Sequence, residues 1–286
     1  MKHIRPKHVR PIAAGLAVAA LAATAACSTV AEKTTQKAAQ LAPAALLDLA
    51  GRNAGSAGTA RVSMTMGMPG MAGAVTADGV MGWGSKAGMD IQYSGNDALK
   101  GLDPDGSVHA LGKGPVVYYE LHGPAISRFG GKHWMKFDMS ALAGAAGAGS
   151  DGQLYQDPSA SARALTDAGG LKEVGKETIA GAETTHLSGT VAAQKLVAAR
   201  TGLTAAQRRQ QLKALAAAGI EQTAIDVWVD AKRLPVRINQ SMPTKRGTIT
   251  VKADFSDYGA PLNVAVPPAS DTADLAGLLK KIKKQA

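Results

Sequence analysis

From Thr59 to Phe255 the chain returns again and again to one pattern, apolar and polar residues in alternation, and no other feature limits its fold so tightly. Val62, Met64, Met66 and Met68 alternate with Arg61, Ser63 and Thr65. Beyond a Pro69-Gly70 turn, Val75, Ala77, Met81 and Trp83 alternate with Thr76 and Asp78, and Met89, Ile91 and Tyr93 alternate with Asp90 and Gln92. Successive side chains of a strand point to opposite faces, so each run predicts a strand with one greasy and one wet side. Short glycine-rich turns between the runs predict an antiparallel meander. Segments 108–111, 116–121 and 133–137 continue it and add Val117 and Tyr119 to the apolar set, while 172–179 and 184–191 flank Gly181 as a hairpin. Three last runs are the cleanest. Ile225, Val227 and Val229, then Val236 and Ile238, then Ile249, Val251, Ala253 and Phe255 stand opposite Asp226, Arg237, Asn239, Thr250, Lys252 and Asp254.

Helical signals interrupt this pattern in only a few places. Residues 41–53 set Leu46, Leu47 and Leu49 among alanines, with Pro43 near the start and Gly55 after the end. Residues 154–168 run from Leu154 through Ala162 and Leu165 to a Gly169-Gly170 stop, with Pro158 and Ser159 near their start. Two short helices follow, 191–200 and one opened by the capping box Thr204-x-x-Gln207 and closed at Gly219. Residues 96–106 read as a loop, marked by Asp103-Pro104-Asp105-Gly106. Residues 141–149 are a low-complexity loop whose glycines lack the order of a phosphate cradle. The fold class that results is α+β, a curved antiparallel sheet of about eleven strands forming a half-barrel, its concave face covered by short helices. So few helices fill a large bent sheet poorly, and a hollow between sheet and helices is expected.

The N-terminus decides where such a domain works. Lys2, Arg5, Lys7 and Arg10 form a basic head before an apolar run from Ile12 to Ala23, too short to span about 30 Å of hydrocarbon comfortably. Residues 1–26 therefore read as a signal peptide. Leu21-Ala-Ala-Thr24-Ala25-Ala26-Cys27 resembles the lipobox of a bacterial lipoprotein, with Thr24 in place of the usual branched aliphatic residue. That resemblance implies diacylation of Cys27, a lipid anchor on the outer face of the cytoplasmic membrane, and a tether over 27–40. Secretion after cleavage at Ala26, with an incidental cysteine, is the alternative. Cys27 is the only cysteine, so no intramolecular disulfide supports the fold.

Removing the first 26 residues takes four of the 32 Lys+Arg and none of the 22 Asp+Glu, which leaves a net charge of +6. That excess favours an anionic lipid surface. The basic residues are scattered without interleaved aromatics, which argues against nucleic acid. Aromatic content of 4% beside 10 methionines makes the apolar surface small-grained and adaptable, a lining that repacks around variable ligands. Alanine and glycine richness also follows from a GC-rich genome.

Four longer stretches resemble the actinobacterial lipid-carrier lipoproteins of LolA-like fold, the LppX/LprAFG group. They are Gly130-Gly-Lys-His-Trp134-Met-Lys-Phe-Asp138, Ile179-Ala-Gly181-Ala-Glu-Thr-Thr185-His186-Leu-Ser-Gly189-Thr, Val227-Trp-Val-Asp230-Ala-Lys-Arg-Leu-Pro235-Val-Arg237, and Phe255-Ser-Asp-Tyr258-Gly259-Ala-Pro261-Leu-Asn-Val264-Ala-Val-Pro267-Pro268. The resemblance implies a half-barrel around an apolar cavity that binds acyl chains of a membrane lipid or acylated glycolipid and hands them over. His186 is followed by Leu187 where that pattern has Tyr, which leaves the ligand's identity open. The domain over 41–270 then carries the binding site, and 271–286 a basic C-terminal helix with Leu275, Leu278, Leu279 and Ile282 on one stripe and Lys280, Lys281, Lys283 and Lys284 at its end.

The candidate cavity residues are the inward alternates Met64, Met66, Val75, Met81, Trp83, Met89, Ile91, Tyr93, Val117, Tyr119, Ile225, Val227, Val229, Ile238, Ile249, Val251 and Phe255. Two further readings remain open. An accessory or sensory lipoprotein would use the same scaffold to contact another envelope protein. A copper-binding lipoprotein would use the thioethers of Met64, Met66, Met68 and Met71, although on a strand the first three share a face about 6.6 Å apart, the ordinary spacing of core residues. No enzyme is expected, since no Gly-x-Ser-x-Gly or His-Glu-x-x-His occurs, and His109, His122, His133 and His186 read as surface or satisfied core residues. No cofactor is expected either.

Overall fold

The computed structural model describes residues 41–138, 157–200 and 203–275. The expected signal peptide, Cys27, the tether, the 141–149 loop and most of the expected C-terminal helix lie outside them. Helix α1 (Pro43–Ala57) opens the chain, with proline at its first turn, and stops at Gly58, whose φ of 72° is the left-handed cap that glycine adopts without strain. Strands β1 (Thr59–Gly67), β2 (Val75–Gly82), β3 (Gly88–Ser94), β4 (Val108–Lys113) and β5 (Val116–Glu120) then run as a meander. A short helix α2 (Pro124–Arg128) precedes β6 (Trp134–Asp138). Helix α3 (Pro158–Ala168) begins where the Asp157 side chain accepts the Ser159 N–H at 2.8 Å. A second meander follows, broken once by helices: β7 (Lys172–Ile179), β8 (Ala182–Ala192), α4 (Ala193–Ala198), α5 (Ala205–Ala218), β9 (Gln222–Asp230), β10 (Pro235–Thr244) and β11 (Gly247–Ser256). The chain closes on β12 (Thr272–Asp274).

Among the described residues the twelve strands form one open curved sheet, in the order β12-β6-β5-β4-β3-β2-β1-β11-β10-β9-β8-β7. Neighbours are antiparallel except β12 and β6, which run parallel. Each meander is a run of sequence neighbours, and the two halves join where β1 pairs with β11, Val62 opposite Phe255 and Met66 opposite Val251. One strand more than expected is present because Thr272–Asp274, expected to open a helix, instead extends the sheet beside β6. Asp271 holds it there by accepting from the backbone N–H of His133 at 3.0 Å. The five-residue α2 was not foreshadowed by periodicity, being too short to show any. The 191–200 helix shrinks to α4, because Val191 and Ala192 complete the β8 ladder against Thr223 and Gln222.

One face of the sheet holds the core. Leu46, Leu47 and Ala50 of α1 and Ala162, Ala164 and Leu165 of α3 join the inward rows of β1–β5 and β8–β11 in one buried cluster. Leu121, Ala125 and Met135 make a smaller cluster under α2. The Trp83 indole N–H donates to the Ala54 carbonyl at 3.0 Å, which ties the end of α1 to the turn after β2.

Candidate functional site

Strand pairing carries the alternation across the sheet, so the inward alternates of neighbouring strands stand side by side. Ala110 faces Tyr119, Ile91 faces Ala110, Gly79 faces Ile91 and Val62 faces Gly79. On the other half Ile238 faces Val227, and Val227 faces Leu187. Of the expected lining, Met64, Met81, Trp83, Met89, Ile91, Val117, Ile225, Val227, Val229, Ile238, Val251 and Phe255 belong to the buried cluster, and Met66, Tyr93 and Tyr119 pack against it half-buried. Val75 and Ile249 are half-buried at one end of the sheet, beside Met66 and Met242 respectively. Burial raises the Tyr119 phenol above its ordinary pKa, as expected for a hydroxyl facing this apolar side.

Two helices lie over the β8–β10 part of this face, and they touch through their smallest residues. A Cβ placed on Gly51 of α1 would meet Ala162 Cβ of α3 at 3.0 Å, and one on Gly55 would lie 3.7 Å from Ser159 Cβ. The Gln240 amide, on an inward row of β10, donates to Ser161 Oγ at 3.1 Å. Met81, Met89, Ile91, Leu187 and Ile225 on this face are nearly inaccessible to solvent. A cleft of about 680 Å³ lies at the sheet end that carries the β7–β8 and β9–β10 turns, lined by Arg61, Asp230, Lys232, Arg237, Phe255 and Tyr258 among others. Another of about 430 Å³ lies on the polar face around Asp78, Asp90, Gln92, His109 and Glu120. A third, about 320 Å³, runs beside the α1–α3 contact at Gly51, Gly55 and Ala162. Of the expected lining residues, Phe255 alone borders any of these.

The polar face carries two histidine-centred clusters that alternation alone did not single out. His186 lies flat on Trp228 with ring centroids 4.1 Å apart, its Nδ1 2.7 Å from Glu177 Oε1 and its Nε2 2.9 Å from Asp226 Oδ1. The Trp228 indole N–H also donates to Glu177 at 3.0 Å. Those two partners, Trp228 first, hold the Glu177 carboxyl below its usual pKa. Arg237 donates two hydrogen bonds to Asp254, which keeps its guanidinium pKa raised. On the other half, His109 Nε2 lies 2.8 Å from Asp90 and its Nδ1 3.2 Å from Glu120, with Trp134 edge-on at 5.8 Å. Cross-strand register builds both clusters, since His186 pairs with Trp228 and Trp228 with Arg237. Knowledge of which strands are neighbours would have found them.

Among the described residues no group of three His, Cys, Asp or Glu side chains is arranged to hold a metal. The methionines weighed for copper are split between environments: Met64 sits in the core, Met66 is half-buried on the same strand, and Met68 and Met71 lie in the turn after it. No helix among the described residues is long and apolar enough to cross a membrane.

No protein-family model matches the chain. It is 33% identical over 248 residues to a 31.2 kDa Streptomyces griseus protein encoded between rplA and rplJ, a match covering 84% of this chain and 81% of that one. It is 32% identical over 236 residues to a Streptomyces coelicolor protein named as a lipoprotein, covering 80% of this chain and 73% of that one. Similar solved structures include the Mycobacterium tuberculosis lipoprotein LppX, with TM-score 0.48 and 16% identity over 78% of this chain and 98% of that one. LprF from Mycobacterium bovis has TM-score 0.42 and 13% identity, over 79% of this chain and 97% of that one.

Proposed function

Because the chain belongs to the family of the two Streptomyces proteins, one of them named as a lipoprotein, we propose that it is an envelope lipoprotein, anchored through Cys27 on the outer face of the cytoplasmic membrane, whose sheet accepts acyl chains. The observation that carries this reading is a continuous apolar face drawn from nine strands, whose β8–β10 part lies under two short helices that meet through Gly51, Gly55, Ser159 and Ala162. A cover held by such small contacts gives up little packing when it shifts. Acyl chains then take its place against the inward row, gaining about 25 cal/mol for each Å² of apolar surface withdrawn from water.

Several groups have roles in that exchange. Met64, Met66, Met81 and Met89 are unbranched and polarizable, and they repack around chains of different length. Met66, Val75, Met242 and Ile249, half-buried at one end of the sheet, form the mouth. Binding and release involve no bond chemistry; the ligand is a membrane lipid or acylated glycolipid, and the protein moves or presents it. The near-complete burial of Met81, Met89, Ile91 and Ile225 favours, as second reading, an accessory lipoprotein that contacts another envelope protein.

The test is native mass spectrometry of the Ser28 to Ala286 chain purified from its own kind of cell, combined with uptake of a fluorescent fatty acid. Co-purifying lipid and saturable uptake are expected. A protein that carries no lipid and takes up no fatty acid ends the carrier reading in favour of the accessory one, and stoichiometric copper would support the thioether reading instead.

A further inference from the structure

The mouth of the apolar face is ringed by segments that lack carboxylates. No Asp or Glu occurs between Asp48 and Asp78, between Glu183 and Glu221, or between Asp230 and Asp254. The fold brings parts of these stretches together, with Glu221 the nearest carboxylate in sequence, three residues beyond Ala218. The Lys245 backbone N–H donates to the Ala218 carbonyl at 3.1 Å, which seats the β10–β11 turn on the end of α5. A Cβ on Gly247 would lie 3.1 Å from Pro69 Cβ, so the β1–β2 turn touches the same hairpin. Lys245 and Arg246 of this hairpin and Arg208, Arg209 and Lys213 further along α5 are exposed, and among the described residues none of the five forms an ion pair. Met68, next to Pro69 in the turn that touches this hairpin, is exposed at 40%. Asp97, carried by the neighbouring loop whose Asn96 side chain holds Ala72, is occupied by Lys100 at 2.8 Å.

We propose that this end of the sheet docks on an anionic bilayer, with Lys245, Arg246, Arg208, Arg209 and Lys213 over lipid phosphates and Met68 among the headgroups. Charge complementarity together with the exposed thioether points to the occupant: cations on a surface that also exposes Met68 match one that is negative outside and apolar within. Docking in this pose points the half-buried Met66, Val75, Met242 and Ile249 at the membrane, so its purpose rests on the acyl-carrier reading while its evidence does not.

The experiment uses the lipid-anchored chain carrying Met68→Cys, labelled with an environment-sensitive fluorophore and reconstituted in vesicles of phosphatidylcholine, alone or mixed with phosphatidylglycerol. The label is expected to shift to the blue only in the anionic vesicles and to lose that shift as salt rises. The shift is also expected to vanish in the double variants Arg208→Glu/Arg209→Glu and Lys245→Glu/Arg246→Glu, while a label at Val174→Cys on the far edge strand stays aqueous throughout. A label at position 68 that remains aqueous in anionic vesicles, or whose shift survives charge reversal, overturns the proposal. Fatty-acid uptake from a soluble donor is measured in parallel. Its absence with the blue shift intact removes the carrier reading and leaves docking standing, whereas normal uptake without the shift does the reverse.

Discussion

Trp228 is the clearest case of a side chain whose surroundings contradict its place in the pattern. It lies on the water-facing side of β9 and yet is only 6% exposed, because His186, Glu177 and Arg237 from adjoining strands close over it. Glu177 anchors that lid, and its depressed pKa has a consequence for stability. A carboxyl whose folded pKa lies below its unfolded one stabilises the fold above the unfolded value and ceases to do so as pH falls through the folded one. Glu177→Gln is therefore expected to lower the melting temperature at neutral pH, and the gap to the parent chain should close as the solution is acidified below about pH 4. Melting curves across that range check it; a gap that widens in acid contradicts the assignment. Gly79 makes the opposite point, since what matters there is an absent atom. A Cβ at this position would sit 2.1 Å from the Asp90 carbonyl oxygen, inside any tolerable contact. Gly79→Ala forces β2 and β3 apart, at a cost of about 3 kcal/mol, and lowers the melting temperature by roughly 6–12 °C, as calorimetry would register. Alternation placed both residues on their strands, but neither environment was legible from it.

Among the elements, the α1–α3 cover has the most bearing on function. Its helices were visible in the sequence from Pro43, Leu46, Leu47, Ala162 and Leu165. Their mutual contact was not, since 111 residues separate Gly51 from Ala162. If ligand enters by displacing this cover, tying the two helices together blocks entry. Gly55→Cys with Ser159→Cys is suited to the purpose, because the Cβ positions lie 3.7 Å apart, within the usual disulfide range. The oxidised double variant is expected to lose fatty-acid uptake by tenfold or more, about 1.4 kcal/mol or more in apparent affinity, and to recover it on reduction. Uptake that proceeds equally in both redox states would show that the cover stays in place. The element that sequence reading assigned otherwise is β12. Three residues show no period, and only the edge offered by β6, with His133 and Lys132 binding Asp271 and the Ser270 carbonyl, selects a strand over a helix there.

At the scale of the molecule, the sheet is two meanders fastened at a single seam between its first strand and its eleventh. That seam joins residues 61–67 to 250–256, so most of the chain must be in place before it forms. A ligand bound across the inward face of both halves would stabilise the assembly as a unit. At a free concentration a hundred times its dissociation constant the gain is about 2.7 kcal/mol, which for a domain of this size raises the melting temperature by roughly 5–10 °C. Stripping lipid from the purified protein should therefore lower its melting temperature by that amount, and re-adding it should restore the loss; equal melting of loaded and stripped protein would argue that no ligand spans the halves. The sequence by itself determined the side of the sheet on which each residue stands, since a period of two follows from backbone geometry within a few residues. It also determined the helix ends at Pro43, Thr204 and Gly219, where local hydrogen bonds and left-handed glycine suffice. Strand order, the β1–β11 seam, the packing of α1 and α3 over β8–β10, and the seating of the β10–β11 turn on the end of α5 were decided only by the tertiary structure. Each depends on contacts between segments far apart in the chain, whose energies no local pattern encodes.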